Sequence, residues 1–177
     1  MKNVAVQYHS TMFTKAPDAA SRSCGSCGMC CKTHAVQFES GFKKPAGKWC
    51  EHWSREKHCG IYERRPNPCR FFRCEWLKGM GGDKHRPDRT KVVLDFVKLP
   101  EAPPGGILQM WEGAEGGLGT PYAREVARGA LASNILTSHL YLNSRRRIFI
   151  PPGRELTQDF LEGVEREGFE IASLSEL

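Results

Sequence analysis

The chain has 177 residues, of which 40% are hydrophobic and 26% are charged. This length and composition are typical of one globular domain with a small appended module, and they exclude a fibrous repeat and wholesale disorder. The formal net charge is +6, and residues 1–90 carry the excess, with 17 Lys and Arg against 8 Asp and Glu. Such a basic half is compatible with nucleic-acid binding, unless it balances negative groups within the same half.

Residues 1–23 are polar and weakly patterned, which predicts an N-terminal arm that is extended or frayed. They lack the apolar run and the cleavage site of a secretory signal. The longest uncharged run, residues 129–144, is too polar to cross a bilayer. We therefore predict a cytoplasmic protein that does not associate with a membrane. Thiols are kept reduced in that compartment, so clustered cysteines favour metal binding, with four disulfides as the alternative.

Residues 24–90 are predicted to form a cysteine-rich module. They show little helical or strand periodicity, so they cannot bury a large aliphatic core and need a metal or a cross-link to become ordered. The module begins with Cys24-Gly-Ser-Cys27-Gly-Met-Cys30-Cys31. Two cysteines at this spacing can reach one ion across a tight turn. The first three also match the start of a bacterial [4Fe–4S] motif, although the fourth cysteine is then adjacent instead of three residues on.

All eight cysteines are candidate metal ligands. Adjacent side chains leave the backbone in different directions, so Cys30 and Cys31 are predicted to serve different centres, or only one of them is a ligand. Eight thiols suffice for one or two four-cysteine centres, and the sequence leaves both their grouping and the choice between zinc and an iron–sulfur cluster open. The candidates are Cys24, Cys27, Cys30, Cys31, Cys50, Cys59, Cys69 and Cys74.

The residues around the cysteines suggest how such a centre would be supported. Prolines at 66 and 68 stiffen the approach to Cys69. Histidines 52 and 58 are alternative nitrogen ligands, and His34 is a weaker one. Four arginines are predicted to donate hydrogen bonds to thiolates or to the carbonyls around them and to offset the charge of the centre: Arg64, Arg65, Arg70 and Arg73. Four aromatic residues are predicted to form a shell that excludes water: Tyr62, Phe71, Phe72 and Trp76.

The order and spacing of these cysteines and of the residues between them resemble the cysteine-cluster (CxxCxxCC) family, which is described as a zinc- or iron-chelating domain. The resemblance is carried by the first four cysteines, then by Trp49-Cys50, by Cys59-Gly-Ile-Tyr-x-x-Arg-Pro-x-x-Cys69-Arg-x-Phe-x-Cys74, and by Arg86-Pro87-Asp88. It covers about two fifths of the chain, roughly residues 24–95. The resemblance implies metal or iron–sulfur binding through the eight cysteines, and it implies no particular reaction.

Residues 91–177 predict an α+β segment in the order β-β-α-β-α. The first strand places Val92, Leu94 and Phe96 on one face, and the second is antiparallel to it. Thr120-Pro121 is a strong helix start. The Gly-rich run before it is interpreted as a connector, because it lacks the residues of a phosphate loop. The predicted elements are strands 91–97, 107–111 and 147–150, and helices from Thr120 to about Leu142 and from Thr157 to about Glu167 with Gly168 as its stop.

The predicted fold is therefore α+β, with an irregular cysteine-rich module packed on a β-β-α-β-α segment that contains a short antiparallel sheet, the two forming one compact unit. Three functions remain open: a structural or electron-carrying metal protein, a redox enzyme or its accessory factor with an open coordination position, and a zinc-stabilised module that binds protein or nucleic acid. Four thiolates around one Zn²⁺ or one [4Fe–4S]²⁺ leave a charge of about −2, so the basic half is interpreted mainly as charge balance. We expect no nucleic-acid ligand, and the sequence predicts no catalytic residue.

Overall fold

The computed structural model describes residues 21–37, 41, 43–98 and 106–177, and the predicted arm falls almost entirely outside them. The architecture is mixed α+β, as predicted. None of the helices in the described ranges is long and apolar enough to cross a membrane.

The cysteine-rich half is built from very short elements. Two antiparallel hairpins have strands of only two residues each. Such elements form few backbone hydrogen bonds, so their packing depends on contacts between elements. The helices are α1 (Met29–Thr33), α2 (Asn67–Phe71) and α3 (Pro87–Thr90), and the hairpins are β1 (Val36–Gln37) with β2 (Lys43–Lys44), and β3 (Trp53–Ser54) with β4 (His58–Cys59).

The second half contains a five-stranded mixed sheet in the order β5-β6-β7-β8-β9. The pairs β5/β6 and β7/β8 are antiparallel, whereas β6/β7 and β8/β9 are parallel. Each parallel pair is joined through a helix, α4 or α5, as parallel strands require. The elements are β5 (Val92–Val97), β6 (Ile107–Glu112), α4 (Pro121–Ala132), β7 (Leu136–Leu140), β8 (Arg146–Phe149), α5 (Gln158–Arg166) and β9 (Glu170–Ala172).

Helix α4 begins where the sequence predicts but ends earlier. Thr120 caps it by accepting a hydrogen bond from the amide of Ala123 at 3.2 Å. The predicted end near Leu142 is wrong, because Asn134 adopts a left-handed backbone conformation with φ 60° and the chain then enters β7. The predicted helix at residues 158–166 and its stop at Gly168, with φ 75°, are confirmed.

The prediction of a short antiparallel sheet is also corrected by the structure. It missed β7, which was assigned to the helix, and β9, which has only three residues and is mostly exposed. The basic run at residues 145–147 leads into β8. Arg145 lies 2.8 Å from Glu170, and Arg147 lies 2.5 Å from Glu176, so the run pairs with acidic groups near the C-terminus.

The first two strands of the sheet have different neighbours on their two faces. Val92 and Leu94 pack with α4 in one hydrophobic cluster, and Phe96 packs against that cluster as predicted. Val93, which points to the opposite face, is buried together with Cys27 and Cys74 in a second cluster. The amide of Glu75 also donates a 2.8 Å hydrogen bond to the carbonyl of Leu94. The cysteine-rich half is therefore in direct contact with the sheet.

A buried histidine in β7 gives the fold a testable pH dependence. His139 is 2% exposed and packs edge-on against Phe149, and its Nε2 atom has no hydrogen-bond partner among the described residues. Burial, with the positive charge of Arg147, lowers the pKa of His139 to about 4. The unfolded chain takes up this proton near pH 6.5, whereas the folded chain does so only near the lower value. The free energy of unfolding should therefore fall as the pH is lowered from about 6.5 to about 4.

We expect His139→Leu to flatten this pH dependence. When the pH is lowered from about 7.5 to about 5, the free energy of unfolding of the wild type should fall by roughly 2 kcal/mol more than that of the variant. The measurement is urea unfolding of both proteins at the two pH values, with the difference between the two losses as the result. Equal losses in the two proteins would show that His139 takes up its proton at the same pH in the folded chain as in the unfolded chain.

Candidate metal centre

A cavity of about 510 Å³ lies within the cysteine-rich half, and all eight cysteines line it. Val93 of β5 contributes to its wall, so the sheet takes part in enclosing it. Each cysteine is a free thiol. The structure thus brings together every candidate ligand that the sequence predicts, including pairs separated by up to 50 residues.

Helix α1 and the turn before it position the first four cysteines. The amide of Cys27 donates to the carbonyl of Cys24 at 3.1 Å, which closes the turn. Gly28, with φ 60°, then begins α1 in a left-handed conformation. A Cβ atom there would overlap Nε1 and Cε2 of the Trp53 indole and lie 2.9 Å from its Cζ2 atom. Glycine is required at this position by both the backbone and the close approach of the indole.

The β3/β4 hairpin positions the next two cysteines. The amide of Cys50 donates to the carbonyl of Cys31 at 3.0 Å, and the amide of Trp53 donates to the carbonyl of Cys50 at the same distance. Cys59 lies directly opposite Trp53 in the hairpin. Trp53 stacks on Trp49 with a centroid separation of 4.0 Å. The indole of Trp53 thus holds the hairpin against the start of α1.

Cys69 and Cys74 reach the cavity by different routes. Pro66 caps α2, and its carbonyl accepts from the amide of Cys69 at 2.9 Å, in agreement with a stiffened approach to this cysteine. Cys74 follows α2 and is only 7% exposed, close to the 8% of Cys27. Both belong to the cluster that includes Trp76 and Val93. One end of the cavity is therefore deeply buried against the sheet.

Three of the thiols are linked by hydrogen bonds. The Cys30 thiol donates to Cys24, which lowers the pKa of Cys24 to about 6, and its interaction with Cys31 lowers the pKa of Cys31. The pKa of Cys30 itself is raised well above its ordinary value by these two neighbours and by burial. Both Cys30 and Cys31 line the cavity and their side chains interact, and the prediction that they serve different centres, or that only one of them is a ligand, stays a prediction.

Four other thiols, those of Cys27, Cys59, Cys69 and Cys74, are held mainly in their neutral form. Burial raises the pKa of Cys27 to about 12 and that of Cys74 to about 11, and for both the charge of Cys24 adds to the effect. Burial also raises the pKa of Cys59 and of Cys69. A buried thiol gives up its proton readily only when a positive partner stabilises the thiolate. The cavity thus favours a cationic guest that would convert these thiols to thiolates.

Lys44 is a buried cation beside the cysteines that the sequence analysis missed. It is 4% exposed, and its ammonium group donates to the backbone carbonyls of Lys32, His34 and Pro45. Burial lowers the pKa of Lys44, while the thiolate charges of the nearest cysteines, first Cys50, oppose that shift. Its position at the end of a two-residue strand gave no sequence signal, because an isolated lysine is normally exposed.

Two arginines also act on the thiols. Arg65 stacks on Tyr62, with its guanidinium carbon 3.6 Å from the ring centroid, and both Arg65 and Arg86 help to lower the pKa of Cys24. Arg65, Arg70 and Arg73 line the cavity, and Arg65 and Arg73 donate to the backbone carbonyls of Tyr62 and Leu77. Hydrogen bonds from these arginines to thiolates stay a prediction. The fourth predicted arginine, Arg64, is exposed and is not among the lining residues.

Three of the four predicted shell residues line the cavity. Trp76 is 8% exposed, Phe72 is partly buried, and Tyr62 lines the cavity although it is 42% exposed. Phe71 is 79% exposed and is not a lining residue, so the prediction that it excludes water is wrong. Phe71 occupies the last position of α2 and faces solvent.

The histidines are arranged differently from the sequence prediction. His34, the weakest candidate, lines the cavity, and it lies between Trp111 and Phe72 with centroid separations of 4.4 and 4.3 Å. Its Nε2 atom is buried without a hydrogen-bond partner among the described residues. Burial lowers the pKa of His34 to about 4, so the ring is neutral. His52 and His58, the stronger candidates, are not lining residues.

The donor set fits a metal or an iron–sulfur group in its chemistry. Eight free thiols, a buried lysine and two arginines supply thiolate ligands together with compensating charge. Two buried polar atoms, Trp53 Nε1 and His34 Nε2, have no partner among the described residues, and both residues line the same cavity. Within residues 21–37, 41, 43–98 and 106–177, however, no three His, Cys, Asp or Glu side chains are arranged to hold one metal ion. The sulfurs surround a volume and do not converge on a point.

No family model, curated protein or solved structure matches the chain. The interpretation of the site therefore rests on the chemistry of its residues. The resemblance to the cysteine-cluster family accordingly stays a prediction.

Proposed function

We propose that this protein is an electron-carrying iron–sulfur protein whose eight cysteines hold clusters within the cavity. The observation that supports the proposal most directly is the volume of about 510 Å³ that all eight thiols line. The iron–sulfur group would supply one-electron redox chemistry, and the chain would supply the ligands, the charge balance and the exclusion of water.

The size of the cavity favours a cluster over single ions. Four sulfurs bound to one zinc ion lie about 2.3 Å from it and close around it, which leaves no internal space. A single water molecule needs a cavity of roughly 10–15 Å³, so the cysteine-lined cavity is about 30 times larger than that minimum. A group of several iron and sulfide atoms uses such a volume, and its sulfur ligands are correspondingly farther apart.

The charges near the cavity also support an anionic, thiolate-bound group. Each four-thiolate [4Fe–4S]²⁺ centre has a net charge of about −2, which is costly to bury without cations. Lys44 is buried beside the thiols, and Arg65 acts on several of them. The excess of 17 basic over 8 acidic residues in residues 1–90 fits the same role.

An electron carrier needs a centre that is shielded and yet close to a partner. Cys74 and Cys27 are almost fully buried, whereas Cys59 and Cys69 are only partly buried. Phe71, which follows Cys69 by two residues, is 79% exposed and offers an apolar contact on that side. The exposure of the cysteines thus increases from the sheet to the surface, and this supports electron transfer with a protein partner.

A second function, zinc-stabilised structure, is favoured by one specific observation. The hairpins of the cysteine-rich half have strands of two residues each, which cannot fold independently. Metal binding would supply the missing folding energy whether or not the metal is redox-active. The two functions differ in the metal that they require.

We expect protein purified without oxygen to be brown and to contain iron and acid-labile sulfide in similar amounts. Visible absorption and elemental analysis make the measurement, and reduction with dithionite should bleach the colour. A protein prepared under zinc-rich and under iron-rich conditions provides the control for adventitious loading. Colourless protein that contains zinc in both preparations would replace this proposal by the structural one, and protein without either metal would contradict both.

A further inference from the structure

An exposed patch of arginine and aromatic side chains lies at the mouth of the cavity. Tyr62, Arg70 and Arg73 line the cavity and are also exposed to solvent, so these residues border its opening. Phe71 lies between the two arginines in the sequence, at the end of α2, and it is 79% exposed. Arg64 precedes α2 and is exposed on the same short segment. We call these five residues the mouth patch.

The positive charge of the mouth patch is local and is not offset by its neighbours in the sequence. Residues 64–73 contain four arginines and no acidic residue, whereas residues 48–63 contain three basic and three acidic residues. The next acidic residue after the patch is Glu75, and its carboxylate lies 2.6 Å from the ammonium group of Lys78. Arg73 donates to the carbonyl of Leu77, which is a neutral group. None of the described residues that line the cavity is Asp or Glu.

The composition of the mouth patch is typical of a protein interface. Aromatic and arginine side chains are enriched at such interfaces and supply much of the binding energy there. Phe71 offers an apolar contact, and the arginines on either side of it can each bind a carboxylate through two parallel hydrogen bonds. Cys69 lies in α2 directly before Arg70, so a protein bound at the patch lies beside a candidate ligand.

We propose that the mouth patch is the docking surface for an acidic electron-transfer protein, and this inference rests on the proposed function. Carboxylates around the redox group of the partner would pair with the uncompensated arginines and bring that group next to the cavity. Complementary charges of this kind increase the rate of encounter more than they increase affinity, which suits a carrier that must bind and leave quickly.

The extent of the patch favours a protein over a nucleic acid. Arginines and aromatic residues also bind single-stranded nucleic acid, but such sites follow the backbone of the strand along a positively charged groove. Here the excess charge is confined to residues 64–73, and the β3/β4 hairpin before them lies in a segment with equal numbers of basic and acidic residues. A small charged surface matches the size of a transient contact between redox proteins.

The test follows electron transfer to two ferric haem proteins of opposite charge, an acidic b-type cytochrome and a basic c-type cytochrome. The full-length protein is reduced with dithionite and freed of excess reductant. Stopped-flow absorption then follows the ferric haem, which gains the one electron that the reduced protein loses. We expect the rate with the acidic cytochrome to fall at least about tenfold between about 0.01 M and about 0.5 M ionic strength, and the rate with the basic one to stay level or rise.

Arg70→Glu/Arg73→Glu reverses the charge of the patch. At about 0.1 M ionic strength, it should lower the rate with the acidic cytochrome about tenfold and raise the rate with the basic one. Arg124→Glu/Arg166→Glu is the matched control, because both arginines are exposed and neither lines the cavity. It changes the net charge equally but should alter the rates by about twofold or less, since charges beyond a Debye length of about 10 Å are screened.

Phe71→Ser removes the apolar contact without changing the charge. Because Phe71 does not line the cavity, the bound metal should be retained. The rate with the acidic cytochrome should fall by a similar factor at low and at high ionic strength, and the rate with the basic cytochrome should not change. Iron per chain is measured in every variant. If the arginine variant loses its iron, Phe71→Ser decides, and an unchanged rate with the acidic cytochrome would overturn the inference.

The remaining outcomes separate this inference from the iron–sulfur proposal. Equal rates in the wild type and in an iron-containing Arg70→Glu/Arg73→Glu variant would overturn the docking surface and leave the iron–sulfur proposal intact. Tighter binding of a fluorescent single-stranded oligonucleotide than of the acidic cytochrome, lost in the same variant, would mean that the patch binds nucleic acid. Wild-type protein without a redox-active metal would overturn the proposed function and, with it, this class of partner.

Discussion

Replacing Gly28 by alanine is expected to destabilise the protein by about 3 kcal/mol or more and to remove most of its bound metal. The left-handed backbone at this residue, with φ 60°, costs an alanine about 1–2 kcal/mol. The new methyl group would also overlap the indole of Trp53, and overpacking of this kind costs about 1–3 kcal/mol. The indole can move away only by shifting the β3/β4 hairpin, which carries Cys59. Urea unfolding and metal content per chain measure the two effects.

Gly25→Ala is the matched control. Gly25 also has a positive φ, 48°, and lies in the same turn, but a Cβ atom there would come no closer than 3.9 Å to another residue. This variant should show only the backbone cost of about 1–2 kcal/mol and keep its metal. Equal losses in the two variants would mean that contact with Trp53 does not hold the hairpin in place.

Replacing Lys44 by methionine is expected to destabilise the protein by at least about 2 kcal/mol. Three backbone carbonyls lose their hydrogen-bond donor, and a buried acceptor left unpaired costs about 1–3 kcal/mol. The same change removes a positive charge beside Cys50 and Cys31. Loss of this charge disfavours an added electron, so the reduction potential of the neighbouring centre should fall. Urea unfolding and a redox titration followed by visible absorption are the measurements.

Lys43→Met is the control for this variant. Lys43 is the preceding residue of β2 and is exposed, so methionine there leaves the buried hydrogen bonds in place. Both its stability and its reduction potential should match those of the wild type. If Lys44→Met changes stability without changing the potential, the lysine is a structural donor only, and the charge of the thiolates is balanced by another cation.

Much of the α+β half could be predicted from local patterns. The alternation of apolar residues in 92–97 correctly placed Val92 and Leu94 on the core face, and Thr120-Pro121 correctly marked the start of α4. Strand β7 was missed because its sequence, Leu-Thr-Ser-His-Leu, continues an apolar pattern from the helix without a Gly or Pro between them. The break depends on the left-handed Asn134, which is a weaker signal than glycine.

The candidate ligands could be predicted, but their surroundings could not. Cysteine spacing identified eight residues that all line one cavity, since clustered thiols have few other roles in a reducing compartment. Their common place at one cavity depends on tertiary packing of residues up to 50 positions apart in the sequence. The burial of Lys44 and the exposure of Phe71 also follow from tertiary packing, which contradicts the ordinary preference of both residue types.

Residues of the sheet form part of the cavity lining, and this affects the order in which the site forms during synthesis on the ribosome. Val93 lines the cavity and Trp111 packs against the buried cysteines, and both are synthesised after Cys74. At about 5–20 residues per second, a ribosome needs a few seconds to pass from residue 74 to residue 111. Until Val93 and Trp111 have left the ribosome and folded against them, the cysteines of the nascent chain lack this cover. Enclosure of the cysteines is therefore a late event of biogenesis, and under the proposed function a factor that delivers iron meets an open site before it meets a closed one.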